Sequence, residues 1–377
     1  MTLELQGVTK DVAGQTWIHP TDLTLAPGSM NVLLGPTLAG KTSLMRLMAG
    51  LDRPTAGRVL WQGRDVTGQR VQDRKVAMVY QQFINYPSMT VYDNIASPLR
   101  LQRVPRAQID ARVRRTAEMM RLTPLLHRRP LELSGGQQQR TALARALVKD
   151  AGLVLLDEPL ANLDYKLREE LRAEIPRIFA ASGAIFVYAT TEPDEALLLG
   201  GNTATLWEGR VTQFGPTPEV YRTPRDATTA RVFSDPPMNF ATVPVRNGTA
   251  SLAGQTWPAG DLPDGDYRAG FRAPHLSIDQ TPGTIPLQVE VDGTEITGAE
   301  TYVHVIHDAT RWVALVPGVR RLERGTPLTL WLDPAHVFLF ADGGRLARAA
   351  PYAAAAATAA VSAAATAVDT AADTAAA

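Results

Sequence analysis

The sequence predicts an α/β domain followed by a smaller all-β domain, and three features carry this prediction. Continuous apolar runs at residues 153–156 and 184–188 are typical of strands buried on both faces of a parallel sheet. Segments with helical spacing of apolar residues alternate with such runs, which indicates an α/β core. Between residues 289 and 340, short β-rich runs are separated by Gly, Pro and Asp turns, which favours a small barrel or sandwich.

We expect three segments along the 377 residues. The first domain spans residues 1–235 and contains a helical subdomain at about residues 86–150, where arginine-rich stretches have helical periodicity. The β domain spans residues 236–345. The remaining residues 346–377 are rich in alanine and too simple to form a core, so we expect a frayed helical or disordered tail.

The composition excludes several function classes. Lys and Arg together number 38, as do Asp and Glu, so no overall field attracts the chain to nucleic acid, and we expect no nucleic-acid partner. The absence of cysteine excludes disulfides, thiolate metal sites and a cysteine nucleophile, and suits the cytoplasm. No segment reaches the roughly 20 apolar residues of a spanning helix, so another chain must cross any membrane involved.

A glycine-rich segment fits a phosphate-binding pattern and lies between an apolar strand and a predicted helix that ends at Gly50. We call residues 35–42 the phosphate loop; they are Gly35, Pro36, Thr37, Leu38, Ala39, Gly40, Lys41 and Thr42. Backbone N–H groups of such a loop surround phosphates, while Lys41 neutralises their charge and Thr42 binds Mg²⁺. With only four constrained positions, the pattern also fits a simple strand-to-helix turn.

Two acids end the apolar run at residues 153–156, where open α/β sheets bind ligands. Asp157 would hold Mg²⁺ through water, and Glu158 would act as the general base for an attacking water. The alternative is a solvated acidic turn. That alternative is weaker because a phosphate loop needs an acid at a strand end.

A second glycine-rich segment precedes the acidic strand. In the signature segment, residues 133–140, Ser134 is placed to cap a helix that Gly135, Gly136 and Gln137 begin. A chance N-cap explains the Ser-Gly-Gly triplet but not the whole octet. The chain therefore has two anion-binding helix starts, one more than a single nucleotide site needs.

With these motifs, residues 1 to about 235 resemble the ABC transporter ATPases, which are P-loop proteins. The resemblance implies that ATP and Mg²⁺ bind between two ATPase subunits, which are identical or related. One subunit contributes the phosphate loop and Ser43, and the other contributes its signature segment. The resemblance also implies that Gln81 matches the Q-loop glutamine, which contacts Mg²⁺ and the attacking water, and that residues 160–164 match the D-loop. Residues 86–95 resemble the importer segment that receives the membrane subunits, although their aromatics also suit an ordinary core.

Three parts of the sequence depart from the family pattern. Thr191 stands where the family has its switch histidine, so we expect slower hydrolysis from this catalytic position. Leu38 and Ala39 replace the family's usual glycine-containing pair, and a positive φ at Leu38 would cost on the order of 1–3 kcal/mol and weaken ATP binding. Val12 occupies the place of the adenine-stacking aromatic; Trp17 is either a substitute or an apolar strand contact.

The C-terminal segments at residues 237–240, 270–276 and 332–340 resemble the OB-like (TOBE-type) domain of sugar-importer ATPases. Such a domain can bind oligosaccharide or oligonucleotide, or it can stabilise a dimer or regulate the protein, and we favour the second role. His275 and His336 fit turn or surface positions. The variant phosphate loop, the missing histidine and residues 82–87 resemble a polyol-importer subgroup linked with glycerol.

The resemblance implies an ATP-hydrolysing subunit of a carbohydrate or polyol importer on the cytoplasmic face of the cell membrane. Its partners would be membrane permeases and a second ATPase, with an extracellular or periplasmic solute-binding protein acting indirectly. One alternative is a subunit with weak or no hydrolysis that lends its signature to a partner. Another is a soluble ATPase of ribosomes or DNA, which the neutral charge and the one cassette disfavour.

Overall fold

The computed structural model describes residues 2–82, 84–161, 165–180 and 183–353. The chain divides into two compact units at residues 217 and 218. The predicted boundary at residue 235 therefore lies 18 residues further along the chain, and the assignment of three segments stays a prediction. Of the predicted tail, residues 354–377 lie outside the described residues. Within the described part, no helix is both long and apolar enough to cross a membrane.

The first unit combines two sheets with six helices among the described residues. Its strands are β1 (Leu3–Val12), β2 (Gln15–Leu25), β3 (Met30–Leu34), β4 (Ala56–Trp61), β5 (Arg64–Asp65), β6 (Val76–Val79), β7 (Leu153–Asp157), β8 (Ile185–Thr190), β9 (Asn202–Trp207) and β10 (Arg210–Pro216). Its helices are α1 (Lys41–Ala49), α2 (Val91–Leu101), α3 (Arg106–Met119), α4 (Gly135–Leu147), α5 (Tyr165–Ala180) and α6 (Pro193–Leu199).

The central sheet has the order β10-β9-β3-β8-β7-β6, and β9, β3, β8, β7 and β6 run parallel. The strands β7 and β8 are buried along their whole length, which confirms the prediction from their continuous apolar sequence. The other sheet, in the order β2-β1-β4-β5, is antiparallel. One core cluster joins α1 to both sheets through residues such as Leu5, Leu44 and Leu155.

Helices α2, α3 and α4 fall within the predicted helical subdomain. Thr90 caps α2 by accepting a hydrogen bond from the Asp93 N–H. Ser134 caps α4, and Gln137 returns the contact by accepting from the Ser134 N–H at 3.0 Å, which is a capping box. The predicted helix start at the signature segment is therefore confirmed.

The second unit is mainly β-structure. The helix α7 (Thr217–Arg222) begins at the division and α8 (Ala227–Val232) follows it. The strands are β11 (Asn239–Arg246), β12 (Thr249–Leu252), β13 (Gln255–Pro258), β14 (Gly265–Phe271), β15 (Leu276–Ser277), β16 (Ile285–Ile296), β17 (Glu300–His307), β18 (Thr310–Pro317), β19 (Pro327–Leu332), β20 (Phe338–Phe340) and β21 (Leu346–Arg348).

These strands form two antiparallel sheets, in the orders β13-β12-β11-β14-β20-β21 and β15-β19-β16-β17-β18. Side chains of both sheets share one apolar cluster. Trp312 is buried in it, donates through Nε1 to the Phe240 carbonyl at 2.9 Å and meets the Phe271 ring edge to face at 5.2 Å. The predicted all-β domain is thus confirmed as two sheets around a common core. His275 and His336 both lie in 3₁₀ turns of this unit.

In the first unit, the turn between β9 and β10 joins the phosphate loop to β2. The Gly209 N–H donates to the Ala39 carbonyl at 3.0 Å, and the Gly209 carbonyl accepts from the His19 N–H at 2.9 Å. Gly209 has a φ of +73°, and a Cβ there would lie 2.2 Å from the Trp17 carbonyl oxygen. Only glycine allows this close approach, so the turn fixes the loop against β2.

We predict that Gly209→Ala is more destabilising than Gly63→Ala, a matched control with a φ of +75° and open space around the new Cβ. The control should lose about 1–2 kcal/mol for an alanine at left-handed φ. Gly209→Ala should lose a further 1–3 kcal/mol or so because the new methyl clashes with backbone. Urea unfolding of both variants measures the two free energies of unfolding. Equal losses would contradict the role of the β9–β10 turn in fixing the phosphate loop against β2.

Candidate functional site

The phosphate loop connects β3 to α1, and glycine is required at two of its positions. A Cβ on Gly35 would lie 2.5 Å from the Leu206 carbonyl oxygen. Gly40 has a φ of +100°, and a Cβ there would lie 2.9 Å from Ile18 Cδ1. The loop therefore passes close to neighbouring backbone and side chains before α1 begins at Lys41.

Lys41 places a cation inside this loop. Its side chain is 4% exposed, and Nζ donates to the Gly35 carbonyl at 2.7 Å and to the Pro36 carbonyl at 3.0 Å. Nζ also lies 3.2 Å from Glu158 Oε1. Burial lowers the pKa of Lys41, and the negative charge of Glu158 opposes that shift without cancelling it. The ammonium group is thus held ready for an anion.

Thr42 and Asp157 meet beside Lys41. The Thr42 hydroxyl donates to Asp157 Oδ2 at 2.8 Å and lies 3.1 Å from Oδ1. Burial raises the pKa of Asp157; the Thr42 hydrogen bond opposes this shift and the like charge of Glu158 adds to it. A hydroxyl and a carboxylate are oxygen ligands of the kind that Mg²⁺ prefers. The residues therefore fit a magnesium ion bound together with phosphates.

Glu158 links Lys41 to Gln81. Gln81 Nε2 donates to Glu158 Oε2 at 3.0 Å, while Oε1 of the same carboxylate faces Lys41. Glu158 has a φ of +45°, a conformation uncommon for residues other than glycine, and its N–H donates to the Ala189 carbonyl at 3.0 Å. Strained backbone of this kind is found at functional sites.

One cavity of about 630 Å³ brings most of these groups together. It is lined by parts of β2, the phosphate loop with Ser43, Gln81, Glu158 and the β9–β10 turn. Among the predicted site residues that the structure describes, those of the signature segment do not line this cavity, and neither do Gly35, Pro36, Ala39, Asp157 and Thr191. Ser134 and Gly135 are exposed at the start of α4 instead. The structure thus gathers the predicted catalytic acid, cation and glutamine, and leaves the signature apart from them.

Thr191 is exposed directly after β8. The turn that carries it is held by its neighbour Thr190, whose hydroxyl accepts from the Glu192 N–H at 3.0 Å and donates to Glu195 Oε2 at 2.6 Å. Glu195 is buried, also accepts from the Tyr188 hydroxyl at 3.1 Å and lies 3.5 Å from Arg172.

Sequence reasoning missed this Glu195 network. The available signal was an acid four residues before the apolar Leu199 on α6, which places a carboxylate on the buried helix face. Of the predicted D-loop, Asn162, Leu163 and Asp164 lie outside the described residues.

Leu38 and Trp17, the possible substitute for the missing adenine-stacking aromatic, both line the cavity, whereas Val12 and Thr191 do not. Leu38 has the positive φ, +68°, for which backbone strain was expected, and its side chain is 95% exposed. Trp17 is 51% exposed and lines the cavity, whereas a strand-packing role predicts a buried indole. The alternative of a base-stacking aromatic therefore fits the position of Trp17 better.

A separate groove of about 290 Å³ lies between β6 and the helices α2 and α4. Tyr86 and Leu101 are among its lining residues, and the Arg145 guanidinium lies over the Tyr86 ring at 4.3 Å from its centre. Asn85 donates to the Gln138 carbonyl at 2.8 Å. This contact ties the groove to the signature helix.

Comparison with known proteins finds two family matches. The sequence profile described as ABC transporter matches residues 18–161, and the one described as TOBE domain matches residues 269–340. Both agree with the fold class that the sequence predicts.

Similar proteins cover most of the chain. The sn-glycerol-3-phosphate import ATP-binding protein UgpC of Paracoccus denitrificans is 36% identical, over 89% of this chain and 96% of the relative. UgpC of Burkholderia pseudomallei strain 1710b is also 36% identical, over 90% of this chain and 97% of the relative. Among solved structures, a dimeric ATP-binding cassette in a post-hydrolysis state bound to ADP and Pi is 26% identical. The match covers 57% of this chain and 98% of the cassette structure, with a TM-score of 0.52.

We predict that Asp157→Asn stabilises the ligand-free protein at neutral pH. The raised pKa of Asp157 means that folding disfavours its charged form, so a stability cost is present above the folded pKa and is relieved as pH falls. The neutral amide removes that cost while its oxygen still accepts from Thr42. Thermal unfolding should give a higher melting temperature than wild type at pH 7 and a smaller difference at pH 4. A lower melting temperature at pH 7 would contradict this account.

Proposed function

The chain belongs to the ABC transporter family of ATP-binding proteins, and from this premise we propose that it hydrolyses ATP to drive solute import. The observation that carries the proposal is the contact of Glu158 with both Lys41 and Gln81 at the phosphate loop. A cation, a carboxylate base and a water-orienting amide are the groups that phosphoryl transfer to water requires.

Binding of ATP changes the partner of Lys41. The phosphate oxygens compete with Glu158 for the buried ammonium group, and exchange of one anion for another keeps the cation paired. Once displaced, the Glu158 carboxylate is free to accept a proton. The loop N–H groups, Thr37 and Ser43 provide further donors for the phosphates.

Hydrolysis then follows from the positions of three side chains. Glu158 accepts a proton from water as the water oxygen bonds to the γ-phosphorus and the bond to the β,γ-bridging oxygen breaks, giving ADP and phosphate. Gln81 orients that water. Mg²⁺, held by Thr42 with Asp157 and Gln81, would neutralise charge on the phosphate oxygens. Thr191 is neutral and short, so it contributes less to γ-phosphate binding than a histidine, and hydrolysis is slow.

A second cassette completes the site. Ser134, Gly135, Gly136 and Gln137 begin a helix whose N–H groups suit an anion, yet they do not line the cavity around Lys41. A two-fold pairing supplies them from the other subunit. The dimeric state of the cassette structure that this chain resembles supports this arrangement.

The relatives support our proposals for the membrane partners and the solute. Permease subunits would dock at the groove lined by Tyr86 and Leu101, with the cassette on the cytoplasmic face of the membrane and a solute-binding protein acting indirectly. Because relatives of almost full length are named for sn-glycerol-3-phosphate import, that polyol phosphate is our candidate solute. Uptake of labelled glycerol 3-phosphate by cells with and without the gene tests this choice. Uptake of a non-phosphorylated polyol by the same cells tests the alternative solute.

We predict that Glu158→Gln lowers ATP turnover by at least about 100-fold, in the range expected for loss of a general base. ATP should bind as tightly as to wild type or more tightly, because the amide competes less well than a carboxylate for Lys41. Phosphate release and equilibrium binding of a fluorescent ATP analogue measure the two effects. Glu118→Gln, on the exposed face of α3, is the charge-matched control. Unchanged turnover would remove Glu158 from the mechanism.

We predict that Trp17→Ala raises KM for ATP about 10-fold and leaves kcat within twofold, since base stacking on an aromatic contributes about 1–3 kcal/mol. Trp17→Phe should restore most of the affinity because it keeps an aromatic face. Steady-state hydrolysis over a range of ATP concentrations separates the two constants. A fall in kcat at constant KM would place Trp17 outside the base site.

A further inference from the structure

The second unit contains a cavity of about 1130 Å³, and its lining residues all belong to that unit. It lies between the start of α8, the strands β11 and β14, and residues 341–344, which follow β20. Neither the cavity around Lys41 nor the groove between α2 and α4 shares a lining residue with it. Its volume accommodates a small organic ligand and far exceeds that of a bare phosphate ion.

A phenylalanine ring is fixed in this lining. Phe240 on β11 pairs with Gly270 on β14, and a Cβ on Gly270 would lie 3.2 Å from Phe240 Cε1 and 2.9 Å from Phe340 Cε2. The Phe340 ring meets the Phe240 ring edge to face, with 6.1 Å between the ring centres. Glycine at position 270 therefore lets both rings pack against the strand, which gives the cavity a rigid aromatic surface.

Two guanidinium groups lie over the Phe240 ring. The Cζ atom of Arg268 is 3.8 Å from the ring centre, and that of Arg231 is 5.7 Å from it. Arg268 lines the cavity, while Arg231 is on α8, whose first residues line it. Burial lowers the pKa of Arg268, and the like charge of Arg231 lowers it further. The ring thus holds two cations that are close enough to repel each other.

These two arginines lack the acidic partner that other arginines of the unit have. Arg311 and Arg324 share Asp292, at 3.4 Å and 2.9 Å. In the part of the unit that the structure describes, no carboxylate forms an ion pair with Arg231 or Arg268. The face of a ring stabilises a guanidinium group but accepts no hydrogen bond from its in-plane N–H donors. The pair therefore offers donors and positive charge that an anion would satisfy.

The other polar groups of the lining define the rest of the ligand. Thr228 and Thr242 bring hydroxyl groups to the cavity, and Asp266 and Asp342 bring carboxylates. Carboxylates repel an anionic group but accept hydrogen bonds from hydroxyl groups. A ligand that suits the whole cavity carries an anionic group at one end and hydroxyl groups at the other. Two guanidinium groups match the double charge of a phosphate monoester better than the single charge of a carboxylate.

We infer that this cavity binds a polyol phosphate, whose phosphate group is held by Arg268 and Arg231 and whose hydroxyl groups bond to the threonine and aspartate side chains. The inference goes beyond ATP hydrolysis and does not depend on it, since every residue involved lies in the second unit. Glycerol 3-phosphate, the candidate solute, belongs to this class and is therefore the probe.

Isothermal titration calorimetry of the full chain with glycerol 3-phosphate, glycerol and inorganic phosphate tests the ligand class. Glycerol 3-phosphate should bind at least about 10-fold more tightly than either of the other two, because only it has both kinds of group. Equal binding of glycerol would show that the arginines do not select the ligand. Equal binding of inorganic phosphate would contradict the role of the hydroxyl groups.

Substitution of the arginines tests the site. Arg268→Gln and Arg231→Gln should each raise the Kd for glycerol 3-phosphate about 10-fold or more, because each removes charge-assisted hydrogen bonds to the phosphate. Arg268→Lys should have a smaller effect, since lysine keeps the charge and loses the planar fork. Arg320→Gln, at an exposed arginine outside the cavity, is the charge-matched control and should leave the Kd within twofold.

A second comparison separates this cavity from the phosphate loop, which also suits phosphate groups. Lys41→Met should weaken ATP binding and leave the Kd for glycerol 3-phosphate within twofold, whereas Arg268→Gln should do the reverse. Thermal unfolding shows which variants are folded. If Arg268→Gln is not, Arg231→Gln and Arg268→Lys provide the same test.

Three further results would overturn the inference. In the first, the wild-type chain does not bind glycerol 3-phosphate at millimolar concentrations. In the second, the folded variants at positions 231 and 268 bind it as tightly as Arg320→Gln does. In the third, Lys41→Met loses glycerol 3-phosphate together with ATP, which would place the ligand at the phosphate loop. Each of these results leaves the proposed ATP site intact, so the two proposals fail separately.

Discussion

The site depends on pairing the buried ammonium group of Lys41. A cation with 4% of its side chain exposed is costly to bury unless acceptors and a negative charge surround it. The carbonyls of Gly35 and Pro36 supply the acceptors and Glu158 supplies the charge. Because the same carboxylate is the proposed base, the resting protein keeps the base occupied until an anionic substrate replaces it. Folding stability and protection of the base thus arise from one ion pair.

The parallel sheet brings the two members of this pair to the same edge. The strand β8 lies between β3 and β7, with Leu34 beside Thr190 and Asp157 beside Ala189. Hydrogen bonds extend the register past the strand ends, from the Gly35 N–H to the Thr190 carbonyl at 3.3 Å and from the Glu158 N–H to the Ala189 carbonyl. Three strand ends therefore deliver the loop, the acids and the turn of Thr191 to one edge, where open α/β sheets bind ligands.

The sequence predicts the parts of this site that are local. A phosphate loop, a strand-terminal acid pair and a capping serine each have backbone requirements that a few adjacent residues express, so their positions can be read from spacing. The Lys41–Glu158 pair joins residues far apart in the chain, and the burial of Glu195 depends on how α5 and α6 pack against β8. Neither follows from local periodicity. The exposure of Trp17 also depends on tertiary structure, since the β9–β10 turn holds β2 at the cavity.

The two unusual residues of the site change different features, a side chain at position 191 and a backbone conformation at position 38. Thr191 alters a side chain, but Thr190 and Glu195 still hold the backbone of its turn, so the surrounding edge of the sheet keeps its shape. Glu158 and Gln81 retain the groups needed to activate water, and loss of one polar contact to the γ-phosphate slows such a reaction without removing it. Leu38 alters the backbone energy and the outer surface of the loop, while Lys41 and Thr42 keep their partners. We therefore propose that substitution at position 191 acts on the chemical step, whereas Leu38 changes the backbone energy of the loop and exposes an apolar side chain.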